Sequence, residues 1–239
     1  MALPKIDVPI YEMILPSSNK KISYRPFLVK EEKLLLMASL SKEEAEIKRA
    51  IKQIINNCLI DKFDIDNAPI FDIEFIMLNL RIKSIGDVVK NQYICNNVID
   101  EETEEQCGNE FTVDIKLNDI EIKKEEVKDE IWLTPEVGVK MRWPRFSSLK
   151  RASDKVTGYD YDILADCIEY IFDKDQTYKM KEQTKEEIAN FFDGLNKEQF
   201  DKIQAYLEKT PKFEVHKEHK CSKCGYNHNI YIKDLTSFF

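Results

Sequence analysis

Two pairs of cysteines, far apart in the chain, most constrain how this sequence can fold. Cys221 and Cys224 form a C-x2-C pair followed by Gly225, and Cys95 and Cys107 lie beside β-prone segments in a similar polar setting. A C-x2-C pair before glycine is typical of a metal-binding knuckle, and four thiolates are the ligand set of a closed zinc site. We therefore predict a structural zinc ion bound by Cys95, Cys107, Cys221 and Cys224.

The spacing of the first pair leaves the ligand set open. Residues 96–106, which include the acidic run DEETEEQ, separate Cys95 from Cys107, so this half-site is longer than a compact knuckle needs. Three histidines, at positions 216, 219 and 228, flank the second pair and could replace a distant cysteine. A mixed Cys/His site and a site without metal are the alternatives.

The two remaining cysteines belong to a different class. Cys58 and Cys167 lie within apolar patterns of helical spacing, so we expect both to be small buried hydrophobic residues. We expect no disulfide framework, because the N-terminus lacks the pattern of a secretory signal and no apolar run has the length of a membrane span. The chain is therefore expected in the cytoplasm.

The distribution of strand and helix signals predicts an α+β fold, with helical N-terminal and C-terminal blocks around a small discontinuous β/zinc-ribbon-like module. The first region, 1–85, combines a β-hairpin with helices, and 86–143 is β-rich and holds the first cysteine pair. Region 144–210 is the second helical block. Region 211–239 carries the second knuckle and a strand that pairs with 86–143.

Capping signals predict where three helices begin. Ser41 with Glu44, and Thr184 with Glu187, have the S/T-x-x-E spacing of a capping box, and Asn196 precedes the last helix.

Two other segments are predicted to be helices from their apolar residues. Residues 69–84 lack a polar face, so this helix either lies in the core or presents one side to a partner. Residues 162–172 carry an apolar stripe of helical spacing, whereas 131–144 reads as a pair of strands.

Evidence for catalysis is lacking in the sequence. Only six glycines occur, and none forms a phosphate-binding loop, while all three histidines crowd the second cysteine pair. One basic and aromatic stretch, 140–151, contains Arg142, Trp143 and Arg145, a mixture that suits an acidic protein surface or a nucleic acid. An exposed strand edge with solvated cations is the other interpretation of this stretch. The net charge of −8 argues against broad nucleic-acid binding. Because the stretch 140–151 could still bind nucleic acid locally, a zinc-ribbon nucleic-acid-binding or regulatory protein is the alternative function.

Two motifs resemble those of the baseplate hub subunit or hub-assembly protein family of T4-like contractile-tailed bacteriophages. The first is YRPFLVKEEKLLL at residues 24–36. The second has the order F…P…C-x-x-C-G…L…FF and comprises Phe200, Pro211, Cys221, Cys224, Gly225, Leu235, Phe238 and Phe239. The resemblance extends over nearly the whole chain.

The resemblance implies a non-enzymatic role in building the tail baseplate. It implies protein–protein docking on other baseplate hub or tail proteins, with no membrane or small-molecule substrate and with nucleic acid disfavoured. The protein would lie in the host cytoplasm during assembly, or in the virion tail baseplate. The residues we expect to contact partners are Tyr24, Arg25, Phe27, Arg142, Trp143, Arg145, Phe238 and Phe239.

Overall fold

The computed structural model describes residues 6–41, 43–123, 125–150 and 161–232, and over these residues the fold is α+β. The N-terminal elements are β1 (Tyr11–Ile14), β2 (Lys21–Tyr24), α1 (Val29–Ser41), α2 (Glu44–Cys58) and α3 (Ile70–Ser84). The middle elements are β3 (Val88–Ile94), β4 (Val98–Asp100), β5 (Glu105–Gln106), β6 (Glu110–Lys116), β7 (Glu121–Lys123), β8 (Glu130–Trp132) and β9 (Gly138–Met141). The last elements are α4 (Tyr161–Asp166), β10 (Ile168–Phe172), β11 (Thr177–Lys179), α5 (Lys185–Asp193), α6 (Lys197–Glu208), β12 (Lys212–Lys220) and β13 (Asn227–Ile232).

The N-terminal region packs the predicted β-hairpin against helices α1 to α3. Strands β1 and β2 pair antiparallel around a turn in which Asn19 has a positive φ of 55°, a conformation that asparagine tolerates better than most residues. The predicted capping box of Ser41 and Glu44 is wrong. Helix α1 extends through Ser41, whose hydroxyl donates to the Ala38 carbonyl, and the N-cap of α2 is Glu43 without a side-chain cap.

Helix α3 is buried on two opposite sides, as its all-apolar sequence allows. One side carries Ile73, Ile76, Met77 and Leu80 into the N-terminal core, together with side chains of the hairpin and of α2. The other side carries Phe71 and Leu78 into a second core formed with the middle and last strands. The core-helix interpretation of residues 69–84 is therefore confirmed.

The strands of the second core come from distant parts of the sequence. Strands β3 and β6 form one antiparallel hairpin, and β12 pairs with both β7 and β13. The buried side chains of this core, besides those of α3, are Val113, Ile115, Leu117, Phe213, Val215 and Ile232. The pairing of β12 with β7 brings the C-terminal part of the chain against its middle. The proposed region boundaries near 85, 143 and 210 stay predictions.

The third core lies between helices α4 to α6 and a four-stranded sheet of order β11-β10-β9-β8. Within it, the prediction of one helix over 162–172 is wrong, because α4 ends at Asp166 and β10 begins at Ile168. Ile168, Ile171 and Phe172 are β-branched or aromatic, and β10 pairs with β9 on one side and β11 on the other. Sheet pairing therefore outweighs the helical spacing of these residues.

The caps of the last two helices form as predicted. The Thr184 hydroxyl accepts from the Glu187 backbone N–H, and the Glu187 carboxylate accepts from the Thr184 N–H. Asn196 caps α6 in the same reciprocal way with Gln199. Both boxes satisfy donors that the first turn of a helix leaves unpaired.

Trp143 joins the second and third cores. Its ring packs edge-on against Phe71 of α3, with centroids 6.2 Å apart, and stacks on Tyr206 of α6 at 4.6 Å. Its side chain is therefore half-buried between the two cores and packs against both. Stability of the whole chain should depend on this residue.

We expect Trp143→Ala to lower the free energy of unfolding by about 3–5 kcal/mol, because it removes a large aromatic ring from the contact between two cores. The matched control is the other tryptophan, Trp132, which is 52% exposed. Trp132 packs edge-on against Phe172, so Trp132→Ala should cost about 1–2 kcal/mol, less than Trp143→Ala. Urea unfolding of both variants measures the difference, and equal losses would refute the joining role of Trp143.

Candidate metal centre

The first cysteine pair lies at the end of the β3–β6 hairpin. The Cys95 N–H donates to the Asn109 carbonyl at 2.8 Å, and the Gly108 N–H donates to the Cys95 carbonyl at 2.9 Å. Gly108 has a φ of +65°, a left-handed conformation that a side chain would strain. The small hairpin β4–β5 occupies the long spacer between the cysteines. These contacts hold Cys95 and Cys107 side by side despite the long spacer between them.

The second pair lies in the turn between β12 and β13. The Cys221 N–H donates to the Tyr226 carbonyl at 2.8 Å, and the Gly225 N–H donates to the Cys221 carbonyl at 2.9 Å. Gly225 has a φ of +75°. A side chain at position 225 would strain this conformation, so the turn requires the glycine that the C-x2-C-G pattern places there.

The four predicted cysteines meet in one cluster. Their sulfur atoms all lie within 4.8 Å of one another, with Cys95 Sγ to Cys224 Sγ at 3.6 Å and Cys107 Sγ to Cys221 Sγ at 3.8 Å. All four are free thiols. A tetrahedral site with metal–sulfur bonds of about 2.3 Å has sulfur–sulfur edges of about 3.8 Å. The cluster therefore has the dimensions of a tetrathiolate site.

The cluster is closed to solvent on most sides. Cys95, Cys107 and Cys221 are at most 2% exposed, and Cys224 is half-buried. The Phe111 ring packs against the cysteines and is itself covered by His219, which stacks on it with parallel planes and centroids 4.1 Å apart. Such a shell limits access of water to the sulfur atoms.

The electrostatic surroundings of the thiols are uneven. Backbone N–H groups of Cys224 and Lys223 donate to the Cys221 sulfur and lower its pKa to about 6. Burial and the hydrogen bonds with the neighbouring thiols together raise the pKa of the Cys95 thiol to about 12. A central cation is the partner that would stabilise all four as thiolates, because a coordinated thiol loses its proton.

Two asparagines that the sequence reasoning missed donate to the sulfur atoms. Asn97 Nδ2 lies 3.8 Å from Cys224 Sγ, and Asn109 Nδ2 lies 3.6 Å from Cys221 Sγ. Each asparagine follows a cysteine of the first pair by two positions, and this repeated C-x-N spacing is the signal that could have identified them. Amide donors of this kind orient and stabilise thiolate ligands.

The three histidines differ in their relation to the cluster. His228 Nε2 lies 3.1 Å from Cys95 Sγ, so its imidazole contacts the thiols directly. His219 stacks on Phe111, and His216 stacks on Tyr231 with centroids 4.5 Å apart. The described geometry therefore offers four sulfurs, with the His228 imidazole in contact with one of them.

Lys223, one of the basic residues beside the knuckle, donates a hydrogen bond from its amine to the Cys107 carbonyl at 2.7 Å.

The residues of the YRPF motif lie mainly in the interior. The side chains of Tyr24 and Phe27 are 1% and 7% exposed and belong to the N-terminal core. The Phe27 N–H donates to the Ser84 hydroxyl at 2.9 Å, and the Arg25 N–H donates to the Cys58 carbonyl at 2.9 Å. The motif therefore joins the hairpin to the ends of α2 and α3.

Arg25 is held by a buried carboxylate. Its Nη2 lies 3.0 Å from Oε1 of Glu31, a side chain that is 0% exposed. The Leu28 N–H also donates to Glu31, at 2.9 Å, and Asn57 Nδ2 donates at 3.2 Å. Burial alone raises the pKa of Glu31, but the hydrogen bonds from Arg25 and Leu28 and the charge of Arg25 outweigh it and lower the pKa below its ordinary value.

The remaining predicted partner residues are divided between a cleft and the chain terminus. Arg142 and Arg145 line a cleft of about 770 Å³ that Trp143 and Tyr206 also border. Arg142 Nε donates to the Asp166 carbonyl at 2.7 Å, and burial lowers the pKa of its guanidinium. Phe238 and Phe239 lie outside the described residues. The structure thus brings the two arginines together at one cleft.

Comparison with known protein families identifies the family of this chain. Residues 8–239 match the family described as T4 bacteriophage base plate protein. The chain belongs to this family and has a structural or assembly role in a phage baseplate. No curated protein and no solved structure matches the chain. Among the described residues, no helix is long and apolar enough to cross a membrane.

We expect Glu31→Gln to lower the free energy of unfolding at pH 7 by about 1–3 kcal/mol, since Arg25 keeps its charge and loses its buried partner. Because the folded-state pKa of Glu31 lies below its ordinary value of 4.5, its stabilisation is present above that pH. The stabilisation is lost as pH falls through the lower folded-state pKa, so the difference between wild type and variant should shrink in acid.

Denaturant titrations between pH 3 and pH 7 measure this difference. The matched control is Glu32→Gln, which changes the neighbouring exposed carboxylate and should alter stability by less than about 0.5 kcal/mol at either pH. A difference for Glu31→Gln that is independent of pH would contradict the ion-pair explanation.

Proposed function

We propose that this chain is a non-enzymatic component or assembly factor of the baseplate hub of a contractile-tailed phage. It acts by docking on other hub or tail proteins, and a structural zinc ion bound by Cys95, Cys107, Cys221 and Cys224 clips two distant parts of its fold together. The observation that carries the zinc proposal is the meeting of four sulfur atoms within 4.8 Å. Membership of the base plate protein family supports the hub role.

Zinc is the ion that this ligand set favours. Four thiolates in a compact tetrahedron suit zinc, whereas carboxylate and carbonyl oxygens would suit magnesium or calcium. Four thiolates leave zinc with a net charge of about −2, which the asparagine amides and knuckle N–H groups around the sulfurs offset. Because all four positions are filled by protein, the ion has no open position for water and serves structure rather than catalysis.

Docking depends on apolar surface that remains exposed in the folded chain. Large apolar side chains of helix α1 and of the segments near the cysteine cluster are exposed, which is typical of interaction sites. Tyr24, Arg25 and Phe27 support docking indirectly, because they fix the hairpin beside α1. Arg142 and Arg145 lie at a cleft of mixed charge, which is also lined by Lys128, Lys140, Glu125, Glu126, Asp129 and Glu169. A partner that binds there would carry charges complementary to this mixture.

The hub role is tested by measuring this chain in purified particles and in infected-cell lysate with quantitative mass spectrometry. A fixed copy number per particle supports a structural hub subunit, and its presence in lysate bound to hub intermediates but absent from particles supports an assembly factor. A chain found in neither particles nor hub intermediates would refute both forms of the proposal.

Cys224→Ser should reduce bound zinc from one ion per chain to well below one, and should lower the melting temperature, because the closed site loses a ligand. Metal content is measured by mass spectrometry of the purified chain and melting by circular dichroism. Cys167→Ala is the control, since Cys167 is buried outside the cluster. It should retain zinc while losing some stability.

His228→Ala separates the tetrathiolate site from the mixed Cys/His site. If His228 only donates to the Cys95 sulfur, the variant keeps one zinc ion per chain with an affinity about 10–100-fold lower. The measurement is competition with a chromogenic chelator. His216→Ala, which removes a ring stacked away from the thiols, should leave the affinity unchanged. Loss of stoichiometric zinc from the His228 variant would instead establish imidazole as a ligand.

A further inference from the structure

Helix α1 presents a row of exposed apolar side chains on its outer side. Val29, Leu36, Met37 and Leu40, here called the α1 stripe, are 65%, 58%, 69% and 81% exposed. At 3.6 residues per turn these positions lie on one side of the helix. A row of exposed apolar side chains of this kind is uncommon on a protein that acts alone.

The opposite side of α1 fixes the direction in which the stripe points. Glu31 and Ala38 are 0% and 6% exposed, and Leu34 and Leu35 pack against the N-terminal core. The Arg25–Glu31 ion pair holds the first turn of the helix. The stripe is therefore a preformed surface, and ordering it on binding costs little conformational entropy.

A single cation interrupts the stripe and indicates what covers it. Lys33 lies one turn after Val29 and one turn before Leu36, so it is on the same side of the helix, and it is exposed. Within the part of the chain that the structure describes, no carboxylate pairs with Lys33. A lysine covered by an apolar partner would lose its hydration without compensation, so a fitting partner carries a carboxylate at that point.

The same lysine argues against a second copy of this chain as the occupant. Lys33 lies near the middle of the stretch from Val29 to Leu40, so an antiparallel two-fold pairing of stripes would place it opposite Leu36 of the other copy and within one helical turn of the other Lys33. Like charges facing each other in an interface are strongly unfavourable. The charge pattern therefore favours a different protein.

We propose that the α1 stripe is the docking surface for an amphipathic helix of another baseplate protein, whose apolar side carries an Asp or Glu opposite Lys33. This inference rests on the proposed docking function and names the surface and the chemistry of the partner. Two helices packed along this length place their axes about 8–10 Å apart, which lets the four apolar side chains interdigitate with the partner.

The first test places a photo-crosslinking amino acid, p-benzoylphenylalanine, at position 37 of the full-length chain. This variant is expressed in host cells that are infected by phage lacking the gene for the chain. The matched control position is Ile60, which is 55% exposed and lies outside the stripe. We expect position 37, but not position 60, to crosslink to a helical segment of one other baseplate protein. That segment should contain a carboxylate within the apolar face.

The second test uses the partner so identified, in a binding assay between purified full-length proteins. Lys33→Glu should weaken binding at least about tenfold, and the partner's Asp or Glu changed to Lys should restore it. Leu36→Asp together with Leu40→Asp should weaken binding by roughly 30-fold or more. The control Lys62→Glu changes an exposed lysine away from the stripe and should have no effect.

Several results would overturn this inference. A crosslink from position 37 to a second copy of the chain refutes the choice of occupant, and unchanged binding by Lys33→Glu refutes the facing carboxylate. A chain that still enters baseplate intermediates but gives no crosslink from position 37 refutes the stripe while leaving the proposed function intact. A chain that enters no baseplate intermediate refutes the proposed function itself.

Discussion

The need to bury helix α3 on two sides determines the arrangement of the other elements. An apolar helix without a polar side must be covered all round, and its few polar groups must be paired. The N-terminal hairpin and helices cover one side, and strands from the middle and end of the chain cover the other. Buried Asp72 accepts a hydrogen bond from the Ser17 N–H, and Arg81 donates to the Gly86 carbonyl. The helix thus links two cores while leaving its own polar groups satisfied.

Most features that depend on neighbouring residues could be predicted from the sequence, although the capping box expected at Ser41 does not form. The Thr184 and Asn196 caps, the first hairpin and helix α3 follow from spacing within a few residues. The meeting of the four cysteines could also be predicted, because thiols beside two glycine turns have a recognisable chemistry. Whether they bind zinc, and whether they form a zinc ribbon, stay predictions.

Other features that depend on distant residues could not be predicted. Residues 168–172 have helical spacing, yet they form a strand because β9 and β11 supply pairing partners on both sides. Tyr24 and Phe27 were expected at a partner surface, and their interior position follows from packing against α2 and α3, which the motif itself does not reveal. The role of Asn97 as a sulfur donor likewise requires Cys224, from the other end of the chain.

The separation of the two cysteine pairs has a consequence for how the chain reaches its native state during synthesis. Cys107 and Cys221 are 114 positions apart. At about 5–20 residues per second, the ribosome adds that stretch in roughly 6–23 s. All side chains of the N-terminal core are present once Phe146 has been added, whereas the sulfur cluster cannot close until Cys224 follows. The thiols of Cys95 and Cys107 must therefore remain reduced and unpaired while the ribosome adds the residues up to Cys224. Closure of the cluster is thus a late event.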